Sequence, residues 1–444
     1  MVNTQNADSV FKIVEQAWIR SFSQSHSFEL AFSGGSDSCV LLDIMSRLQQ
    51  KYNFFLSAVH VHHGLQHQAD QWTEFCQRVC HAYQIPLRIK RVKLNPFSSL
   101  GLEAEARRHR YQVLMESQQD VIVLAHHQED QIETFLLSLF RGGELRAMAT
   151  MPQLRNLAPT LQLWRPLLPV SKAQILQYLE RKQLSYIEDP SNREEAYLRN
   201  WVRHRLVPLL ENKIPHVKAQ LLHSINSLQR TLSLVEDWLN VDYQTVQVGR
   251  SLSVIQLRQL PLERMKAVIV HFLRQHQLGS PREKSIQAFA DWLNKQEGSF
   301  YEWQVPGGQV YVAQGRVWPW INSKSTQKLN PFFSFTKEQI DWFPAPHGLP
   351  PSFLHSKWKL RSVKKEDTIQ TNLGEQSVFN LLKKNKIPLF VRPWWPVVLN
   401  EQGICIAVIG LRIDHRYQQS EGLLPQLGPL EDFLSLREKS IPTA

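Results

Sequence analysis

The residues with the clearest chemistry are six small and polar ones in a row, Ser33-Gly34-Gly35-Ser36-Asp37-Ser38. They separate a short apolar run suited to a buried strand from residues whose apolar positions recur at helical spacing. Such a turn directs backbone N–H groups outward at the positive end of a helix, where they can hold a phosphate. Glycines let the backbone approach the anion, and Asp37 can bind Mg²⁺ against phosphate oxygens. The structural alternative is a glycine-rich turn in which Asp37 and Ser38 cap the helix.

A second group of candidate residues lies in the stretch VIVLAHHQEDQIETFLLSLFRGG, which begins at Val121. Asp130 and Glu133 fall at helical spacing near a helix start, so they can bind Mg²⁺ or the ammonium group of an incoming nucleophile. Acids in the first turn of a helix are also common partners of the helix dipole, which is the alternative. The same helix is predicted to bury one continuous apolar stripe, formed by Ile132, Phe135, Leu136, Leu139 and Phe140.

Arginines supply two further groups. Arg107 and Arg110 share one side of a predicted helix with Tyr111, where a solvated basic face is the alternative. The last turns of another helix carry Arg199, Arg203 and Arg205. A capping box of Ser191 and Glu194 is expected to start that helix, and Pro208 to stop it. Guanidinium groups there can bind phosphates or stabilise the helix dipole.

Composition limits the class of protein. The chain has 444 residues and a formal net charge of +11, from 51 Lys and Arg against 40 Asp and Glu. This surplus favours a polyanionic partner, because neutralised phosphates release counterions, although an ordinary basic protein is the alternative. The four cysteines lack a C-x-x-C pair and the histidines lack zinc-ligand spacing, which argues against a disulfide scaffold and zinc. No secretory signal or membrane-spanning run is visible, so we expect a cytoplasmic protein without a membrane partner.

Two familiar nucleotide-binding motifs are absent from the sequence. No Gly-Lys pair occurs, which excludes G-x-x-x-x-G-K-[ST], and G-x-G-x-x-G does not occur either. A phosphate site at Ser33–Ser38 would therefore be neither a Walker-type loop nor the simplest dinucleotide fingerprint.

The order of elements predicts how these residues meet. Up to about residue 210, strand-like and helix-like segments alternate, which indicates an α/β fold with a doubly wound parallel sheet. Strands are expected at 28–32, 54–61, 87–92 and 121–125, and helices at 37–50, 70–83, 102–117 and 128–141. Ligands bind beyond the carboxyl ends of such strands, so the loops after Phe32, Val61 and Ala125 should surround one site.

Two further regions follow the α/β domain. Residues 213–296 have helical periodicity, and a hairpin is expected around Pro306-Gly307-Gly308. The proline-rich passage FPAPHGLPPSF, from Phe343, is predicted to be an interdomain linker. We predict an α/β domain at 1–212, a helical domain at 213–325 and a small mixed α+β domain at 345–440.

The run Ser33–Ser38 resembles the pyrophosphate-binding loop S-G-G-x-D-S of the PP-loop ATP pyrophosphatases. Five stretches then resemble the tRNA(Ile)-lysidine synthetases in that family's order: VHVHHGLQHQADQW, GLEAEARRHRY, AHHQEDQIETFLLSLFRGG, RPLLPVSKAQI and DPSNREEAYLRNWVRHRLVPLL. The similarity is dense over residues 28–212 and resumes at KIPLFVRPWWPVV and IGLRIDHRYQ, while the middle region matches only in length and helical character. The family usually has two adjacent aspartates where this chain has Glu129-Asp130, so a direct role is assigned to Asp130.

The resemblance implies a specific reaction. ATP would adenylate the C2 carbonyl oxygen of the wobble cytidine in an isoleucine tRNA with a CAU anticodon, and the ε-amine of free lysine would then displace AMP. Residues Ser33–Ser38 would bind ATP, and Asp37 would bind Mg²⁺. Catalytic roles would fall to Asp37, Asp130, Glu133 and Arg205, with the base left open among Asp130, Glu133 and a water. Binding of tRNA or phosphate would fall to Arg107, Arg110, Arg199 and Arg203.

The middle and C-terminal domains would contact tRNA. Residues 357–392 hold nine Lys or Arg against three Asp or Glu, with Trp358, Trp394 and Trp395 among or beside them. Basic residues interleaved with large aromatics are typical of an RNA-contacting surface, and a tryptophan-containing core with a solvated basic rim is the alternative. The sequence does not reveal the oligomeric state, and a homodimer is one option.

Three other functions stay open at this stage. A tRNA 2-thiolase of the same superfamily would activate a base in the same way, but the cysteines here are poorly arranged to carry sulfur. Glutamine-dependent amidotransfer would need an N-terminal catalytic cysteine or a glutaminase domain, and the first 38 residues contain no cysteine. The third is a non-catalytic tRNA-binding protein that retains a relic loop.

Overall fold

The computed structural model describes residues 7–22, 26–62, 68–92, 102–158, 160–190, 197–295, 300–321 and 335–434. The chain divides into two compact units, Met1–Leu234 and Val235–Ala444, and the division falls within one long helix, Val217–Val246. The domain boundaries predicted at 1–212, 213–325 and 345–440 stay predictions. In the described part of the chain, no helix combines the length and apolar character that crossing a membrane requires.

The first unit is built on one six-stranded sheet. Its strands are β1 (Phe28–Ala31), β2 (Leu56–His62), β3 (Leu87–Arg91), β4 (Val121–Val123), β5 (Leu154–Ala158) and β6 (Leu161–Trp164). Their order is β3-β2-β1-β4-β6-β5, and every pair is parallel except β5–β6. The predicted parallel α/β sheet is confirmed. The antiparallel edge strand β5 was not apparent from the sequence pattern.

The first unit also contains helices, the last of which continues into the second unit. They are α1 (Ala7–Ser21), α2 (Ser36–Tyr52), α3 (Ala69–Ala82), α4 (Leu102–Met115), α5 (Gln128–Phe140), α6 (Leu145–Met148), α7 (Lys172–Lys182), α8 (Leu198–Trp201), α9 (Val207–Lys213) and α10 (Val217–Val246). Phe28 and Leu30 of β1 are fully buried and share one core with Leu41 and Ile44 of α2. On the other face of β1, Glu29 is buried and its carboxylate accepts a 2.8 Å hydrogen bond from Arg88 Nη2 of β3.

The apolar stripe predicted on α5 is only partly buried. Its first part belongs to a cluster made of Ile132, Phe135, Leu136, Val202, Val207 and Ile225. Leu139 is 47% exposed and Phe140 is 54% exposed, so the prediction of burial is wrong for these two residues. The cluster covers only the first turns of α5, and the last turn extends beyond it.

The arginine-bearing helix differs from the prediction at Pro208. Instead of ending there, α8 continues through a π-helical turn at Val202–Leu206 into α9, where Pro208 lies in the first turn. Pro208 directly follows the π-helical turn and lies at the start of α9, a position at which proline is tolerated. The capping box predicted for Ser191 and Glu194 lies outside the described residues.

The second unit begins within α10 and contains a helical region with a small sheet. Its helices are α11 (Val254–Leu257), α12 (Leu262–Gln275) and α13 (Glu283–Lys295). Its strands are β7 (Gln247–Val248), β8 (Ser251–Ser253), β9 (Phe300–Val305), β10 (Gly308–Ala313) and β11 (Arg316–Ile321), in the order β7-β8-β11-β10-β9. The predicted hairpin is confirmed, since Val305 pairs with Gly308 across the turn. The two short strands β7 and β8 interrupt the helical periodicity.

The proline-rich passage from Phe343 is not a linker. Residues Asp341–Ala345 form β12, which pairs along its length with a late strand at Gly422–Gln426. Pro344 is accommodated because this sheet has only two strands, so its missing N–H interrupts no central ladder. The other elements here are β13 (Lys359–Ser362), β14 (Thr368–Thr371), β15 (Gly374–Ser377), α14 (Val378–Lys384), β16 (Pro396–Leu399), β17 (Cys405–Val408), β18 (Arg412–Ile413), β19 (Gly422–Gln426) and α15 (Glu431–Leu434).

The tryptophans of this region belong to its core. Trp358 is 8% exposed and Trp395 is fully buried, so the interpretation of these two side chains as a stacking surface for RNA is wrong. Both indole groups pack within the apolar core of this region, where a large aromatic side chain buries a large apolar area. Lys357 and Lys359 beside them are exposed. The alternative, a tryptophan-containing core with a basic rim, describes this region.

Candidate active site

The loop between β1 and α2 is held in an open, anion-binding shape. Gly34 has a φ of +80°, and a Cβ atom at this position would lie 2.7 Å from Cδ1 of Ile187. The carbonyl of Gly34 accepts a hydrogen bond of 2.9 Å from the Ile187 N–H. Only glycine therefore fits where the segment around Ile187 fixes the turn. No local sequence pattern indicates this role for Ile187.

The N-terminus of α2 receives no side-chain cap from the described residues, with Gly35 at the N-cap position. Ser38 Oγ instead donates to the Gly35 carbonyl at 2.9 Å, and it lies 3.1 Å from Ser33 Oγ. The capping role considered for Asp37 and Ser38 is therefore wrong. The first N–H groups of α2 stay available to an anion, as the phosphate interpretation requires.

Asp37 contacts a lysine that the sequence analysis missed. Lys172 Nζ lies 2.5 Å from Asp37 Oδ1 and 2.7 Å from Ser36 Oγ. Lys172 is the first residue of α7, whose N-cap Ser171 forms a capping box with Gln174. The stretch RPLLPVSKAQI contains this lysine, but nothing in its spacing indicated a contact more than 130 residues away in the chain. The Lys172 ammonium group, beside Ser36 and Asp37, adds positive charge that favours binding of phosphate to the loop.

His127 joins the loop to the acids of α5. Its Nε2 lies 3.8 Å from Asp37 Oδ2 and 3.7 Å from Asp130 Oδ2. Its Nδ1 lies 3.0 Å from Glu129 Oε2. Burial alone lowers the pKa of His127, but the hydrogen bond to Glu129 and the charges of Asp130 and Asp37 outweigh it and raise the pKa above its usual value. These contacts confirm that the loops after β1 and β4 meet, whereas residues 63–67, after β2, are not described.

Glu129 positions both His127 and Lys172. Its Oε2 accepts a 2.9 Å hydrogen bond from the Lys172 N–H in addition to its contact with His127. Burial raises the pKa of Glu129, but these hydrogen bonds outweigh it and keep the pKa below its usual value. The carboxylate thus stays ionised and fixes the start of α7 beside the loop. Glutamate at this position has a definite structural role in this chain.

The adjacent His126 and His127 are expected to titrate on opposite sides of the ordinary histidine pKa. Burial lowers the pKa of His126 to about 3. The charge of Asp130 raises this pKa, whereas the charges of Arg165 and Arg110 lower it further. His126 should therefore stay neutral from pH 5 to 8. His127 should titrate above about 6.5. Its stabilising effect should be complete below that pH and be lost as the pH rises through the raised pKa. NMR titration of the imidazole Cε1–H signals measures both values.

Glu129→Gln is the control for this titration. The change should lower the pKa of His127 and leave His126 neutral across the same range. A His127 pKa below 6.5 in the unaltered protein would contradict the assigned contacts.

Two arginines bind the acids of α5. Glu133, 1% exposed, accepts from Arg199 Nε at 2.7 Å and from Arg203 Nε at 2.6 Å. Asp130 accepts from Arg199 Nη2 at 2.8 Å, and its other oxygen accepts from the His127 N–H at 3.0 Å. Burial raises the pKa of Asp130, but His127, His126 and Arg199 outweigh it and lower the pKa to about 2. Both carboxylates are more than dipole partners, because guanidinium groups neutralise them.

The structure brings most of the predicted residues together. Ser33–Ser38, Asp130, Glu133, Arg199 and Arg203 lie in one connected network through His127 and Lys172. Arg110 interacts electrostatically with both Asp130 and Arg199. Arg107 lies against Tyr111. Arg205 is exposed on the π-helical segment, and its catalytic role stays a prediction.

Asp37 fits a role as a ligand for Mg²⁺ when phosphate is present. The described residues hold no group of three or more His, Cys, Asp or Glu arranged to bind a metal ion by themselves. Mg²⁺ usually takes only one or two carboxylates and completes its coordination with substrate phosphates and water. Asp37 is 29% exposed beside the phosphate-binding turn, so it can serve as that carboxylate.

Comparisons with known proteins agree with this geometry. The sequence profile of the PP-loop domain family matches residues 3–210, and that of the TilS substrate binding domain matches residues 252–318. The sheet and the loop after β1 therefore define a PP-loop ATP-binding protein with an added substrate-binding domain.

Full-length relatives give the family. The chain is 34% identical over 406 residues to a tRNA(Ile)-lysidine synthase of Neisseria meningitidis serogroup B, covering 89% of this chain and 94% of the relative. It is 31% identical to the protein of that name in Chromobacterium violaceum, covering 93% and 98%, and 30% identical to that of Nitrosomonas europaea, covering 88% and 89%. The chain belongs to the tRNA(Ile)-lysidine synthase family.

Proposed function

We propose that this protein ligates lysine to C2 of the wobble cytidine in the CAU anticodon of an isoleucine tRNA, forming lysidine. The observation that carries the proposal is the position of His127 between the anion-binding loop and the acid pair Asp130 and Glu133. Its Nε2 lies 3.8 Å from Asp37 Oδ2 in the loop and 3.7 Å from Asp130 Oδ2. A phosphate site and an ammonium-binding carboxylate so close together suit a reaction that joins ATP cleavage to attack by an amine. Family membership supports the same substrates.

In the first step, the C2 carbonyl oxygen attacks the α phosphorus of ATP, and pyrophosphate leaves. The free N–H groups of α2 and the Lys172 ammonium group would bind the negative charge that develops on pyrophosphate. Asp37 would hold Mg²⁺, which neutralises phosphate charge when bound. The serine hydroxyls of Ser33, Ser36 and Ser38 would supply further hydrogen bonds.

In the second step, the lysine ε-amine attacks C2 and AMP leaves. Asp130 suits binding the lysine ammonium group better than accepting its proton, because its pKa of about 2 is far below the working pH. Glu133 and a water remain the candidates for the base. Arg199 and Arg203 occupy both acids in the present arrangement, and RNA phosphates would compete for these arginines. When RNA phosphates bind Arg199 and Arg203, the carboxylates of Asp130 and Glu133 would become available to the lysine ammonium group.

The thiolase alternative is weaker in this chain. All four cysteines are buried, and none is in a disulfide. Burial raises the pKa of Cys39 and Cys80 to about 12, and Cys405 likewise to about 12, so these thiols are poor nucleophiles near neutral pH. A sulfur-carrying role would need a reactive thiolate beside the loop.

The remaining assignments belong to the same proposal. The region 1–212 would bind ATP and carry out catalysis, and the regions 213–325 and 345–440 would bind tRNA. Arg107, Arg110, Arg199 and Arg203 would contact phosphates, and Arg205 would take part in catalysis. We place the reaction in the cytoplasm, where ATP, free lysine and tRNA are available. A homodimer is one arrangement to be tested by sedimentation.

Incorporation of radiolabelled lysine into RNA tests the function. Purified protein, Mg²⁺ and ATP are incubated with an unmodified CAU-anticodon isoleucine tRNA transcript, and a transcript with uridine at the wobble position is the matched control. We expect label only in the CAU transcript, with unlabelled cysteine or ammonia unable to compete. Pyrophosphate release without lysine transfer would contradict the proposal and favour the thiolase, and no ATP turnover would favour a binding protein.

A further inference from the structure

Four arginines surround one tyrosine in the first unit. They come from three separate parts of the fold: α4 supplies two, the edge strand β5 supplies one, and the residue after β6 supplies the fourth. We call this group, formed by Arg107, Arg110, Arg155 and Arg165 around Tyr111, the Tyr111 arginine cluster. Their convergence depends on the antiparallel β5–β6 pair, which places β5 at the edge of the sheet.

The contacts place cations on the tyrosine ring. Arg107 Cζ lies 5.4 Å from the ring centroid of Tyr111, and Arg155 Cζ lies 5.8 Å from it. Both arginines are exposed, so these contacts leave much of each guanidinium open to a ligand. Burial by itself raises the pKa of Tyr111, but the charges of Arg107, Arg165, Arg155 and Arg110 outweigh it and lower the pKa.

Carboxylates of the described residues do not pair with this cluster. None of the four arginines is within ion-pair distance of a described Asp or Glu, in contrast to Arg199 and Arg203 nearby. Arg165 is only 2% exposed, and although its Nη1 donates to the Pro152 carbonyl at 2.9 Å, its Nε has no hydrogen-bond partner among the described residues. A buried donor without a partner, within a group of like charges, is unfavourable unless an anion binds there.

The cluster adjoins the reacting acids. Arg110 interacts electrostatically with Arg107 and Tyr111 on one side and with Asp130 and Arg199 on the other. His126 interacts with Arg165 and Arg110, and no group in the described part of the chain hydrogen-bonds to its buried Nδ1. His126 can therefore donate or accept one further hydrogen bond between the cluster and the acid pair.

We propose that the Tyr111 arginine cluster binds a backbone phosphodiester of the substrate RNA next to the nucleotide that reacts. The inference rests on the proposed function and assigns Arg155 and Arg165 to the same phosphate as Arg107 and Arg110. Phosphoryl oxygens of ATP share this chemistry, but the turn at Ser33–Ser38 and Lys172 already provide for them. A guanidinium fork suits the two free oxygens of a phosphodiester, and Arg107 and Arg155 are both exposed.

The salt dependence of RNA binding tests this inference. Arg155→Gln and Arg107→Gln both change exposed residues, so neither should alter the melting temperature. Fluorescence anisotropy with labelled CAU-anticodon isoleucine tRNA is measured from about 50 to 300 mM KCl. Each variant should bind the tRNA about tenfold more weakly at low salt, and the slope of log K against log salt concentration should become less steep. Affinity for ATP should not change.

Arg78→Gln is the matched control, because Arg78 is an exposed arginine on α3 in the same unit. It should leave the affinity and the salt slope unaltered. An unchanged slope in both cluster variants would overturn the inference, and so would a loss of ATP affinity with tRNA binding intact. Either result can occur while the unaltered protein still transfers lysine, so failure of this inference is distinguishable from failure of the proposed function.

Discussion

Asp37→Asn is expected to lower kcat/KM for lysine transfer by at least about 10³-fold. The carboxylate lies beside the open N-terminus of α2 and contacts Lys172 through Oδ1 and His127 through Oδ2. Its neutral replacement would remove the proposed Mg²⁺ ligand and leave the Lys172 ammonium group with Ser36 Oγ but without its carboxylate partner. Both steps of the reaction depend on that charge, because no adenylated RNA forms when pyrophosphate is not stabilised.

The loss should be catalytic and leave the fold intact. Asp37 is 29% exposed at the surface of the loop, so the melting temperature should change little. Asp70→Asn is a matched control, because Asp70 is an exposed acid of the same unit whose carboxylate binds Arg91 at 2.8 Å. Initial rates of lysine incorporation, measured with both variants, distinguish a specific catalytic loss at Asp37 from a general effect of removing an acid from this unit. Activity of Asp37→Asn within tenfold of the unaltered protein would refute the assigned role.

Glu133→Gln is expected to reduce the free energy of unfolding by about 3 kcal/mol, which is the largest loss of stability we expect from a single polar change. Glu133 is buried, and its two oxygens receive hydrogen bonds from Arg199 and Arg203. Glutamine would direct an N–H₂ group toward a guanidinium and remove the charge that neutralises it. The arginine side chains are a quarter to a third exposed, so solvent limits the loss to the lower part of the range for buried pairs.

Urea denaturation of the purified protein measures this effect. Glu211→Gln is the control, since Glu211 forms a surface ion pair of 2.9 Å with Lys218 and should contribute less than about 1 kcal/mol. If Glu133→Gln were as stable as the control, the ion pairs of Glu133 with Arg199 and Arg203 would not stabilise the fold. The packing of the π-helical segment against α5 would then have to depend on the apolar cluster alone.

Much of the site could be predicted because local patterns encode it. The strand–turn–helix pattern around Ser33–Ser38 requires only a short apolar run, two glycines and helical spacing. The parallel sheet follows from the alternation of elements, and it brings the ends of β1 and β4 together. Asp130 and Glu133 could be found because they share a helix with a clear apolar stripe.

Other features depend on contacts that no local pattern specifies. Lys172 reaches Asp37 only because α7 begins beside the loop, and Glu129 fixes that start through a backbone N–H. The Tyr111 arginine cluster depends on β5, a short edge strand with little apolar periodicity. Burial was also misjudged: Trp395 is in the core and Phe140 is exposed, because composition does not show which neighbouring elements cover a side chain.

Transfer of labelled AMP to RNA detects the adenylated tRNA intermediate on which the proposed reaction depends. The protein, Mg²⁺ and α-phosphate-labelled ATP are mixed with the CAU-anticodon isoleucine tRNA in the absence of lysine, and the RNA is isolated rapidly. We predict that label accumulates on the RNA and is released as AMP when lysine, but not cysteine or ammonia, is added. Release of label by cysteine or ammonia in place of lysine, or no label on the RNA under conditions where lysine is incorporated, would contradict the account.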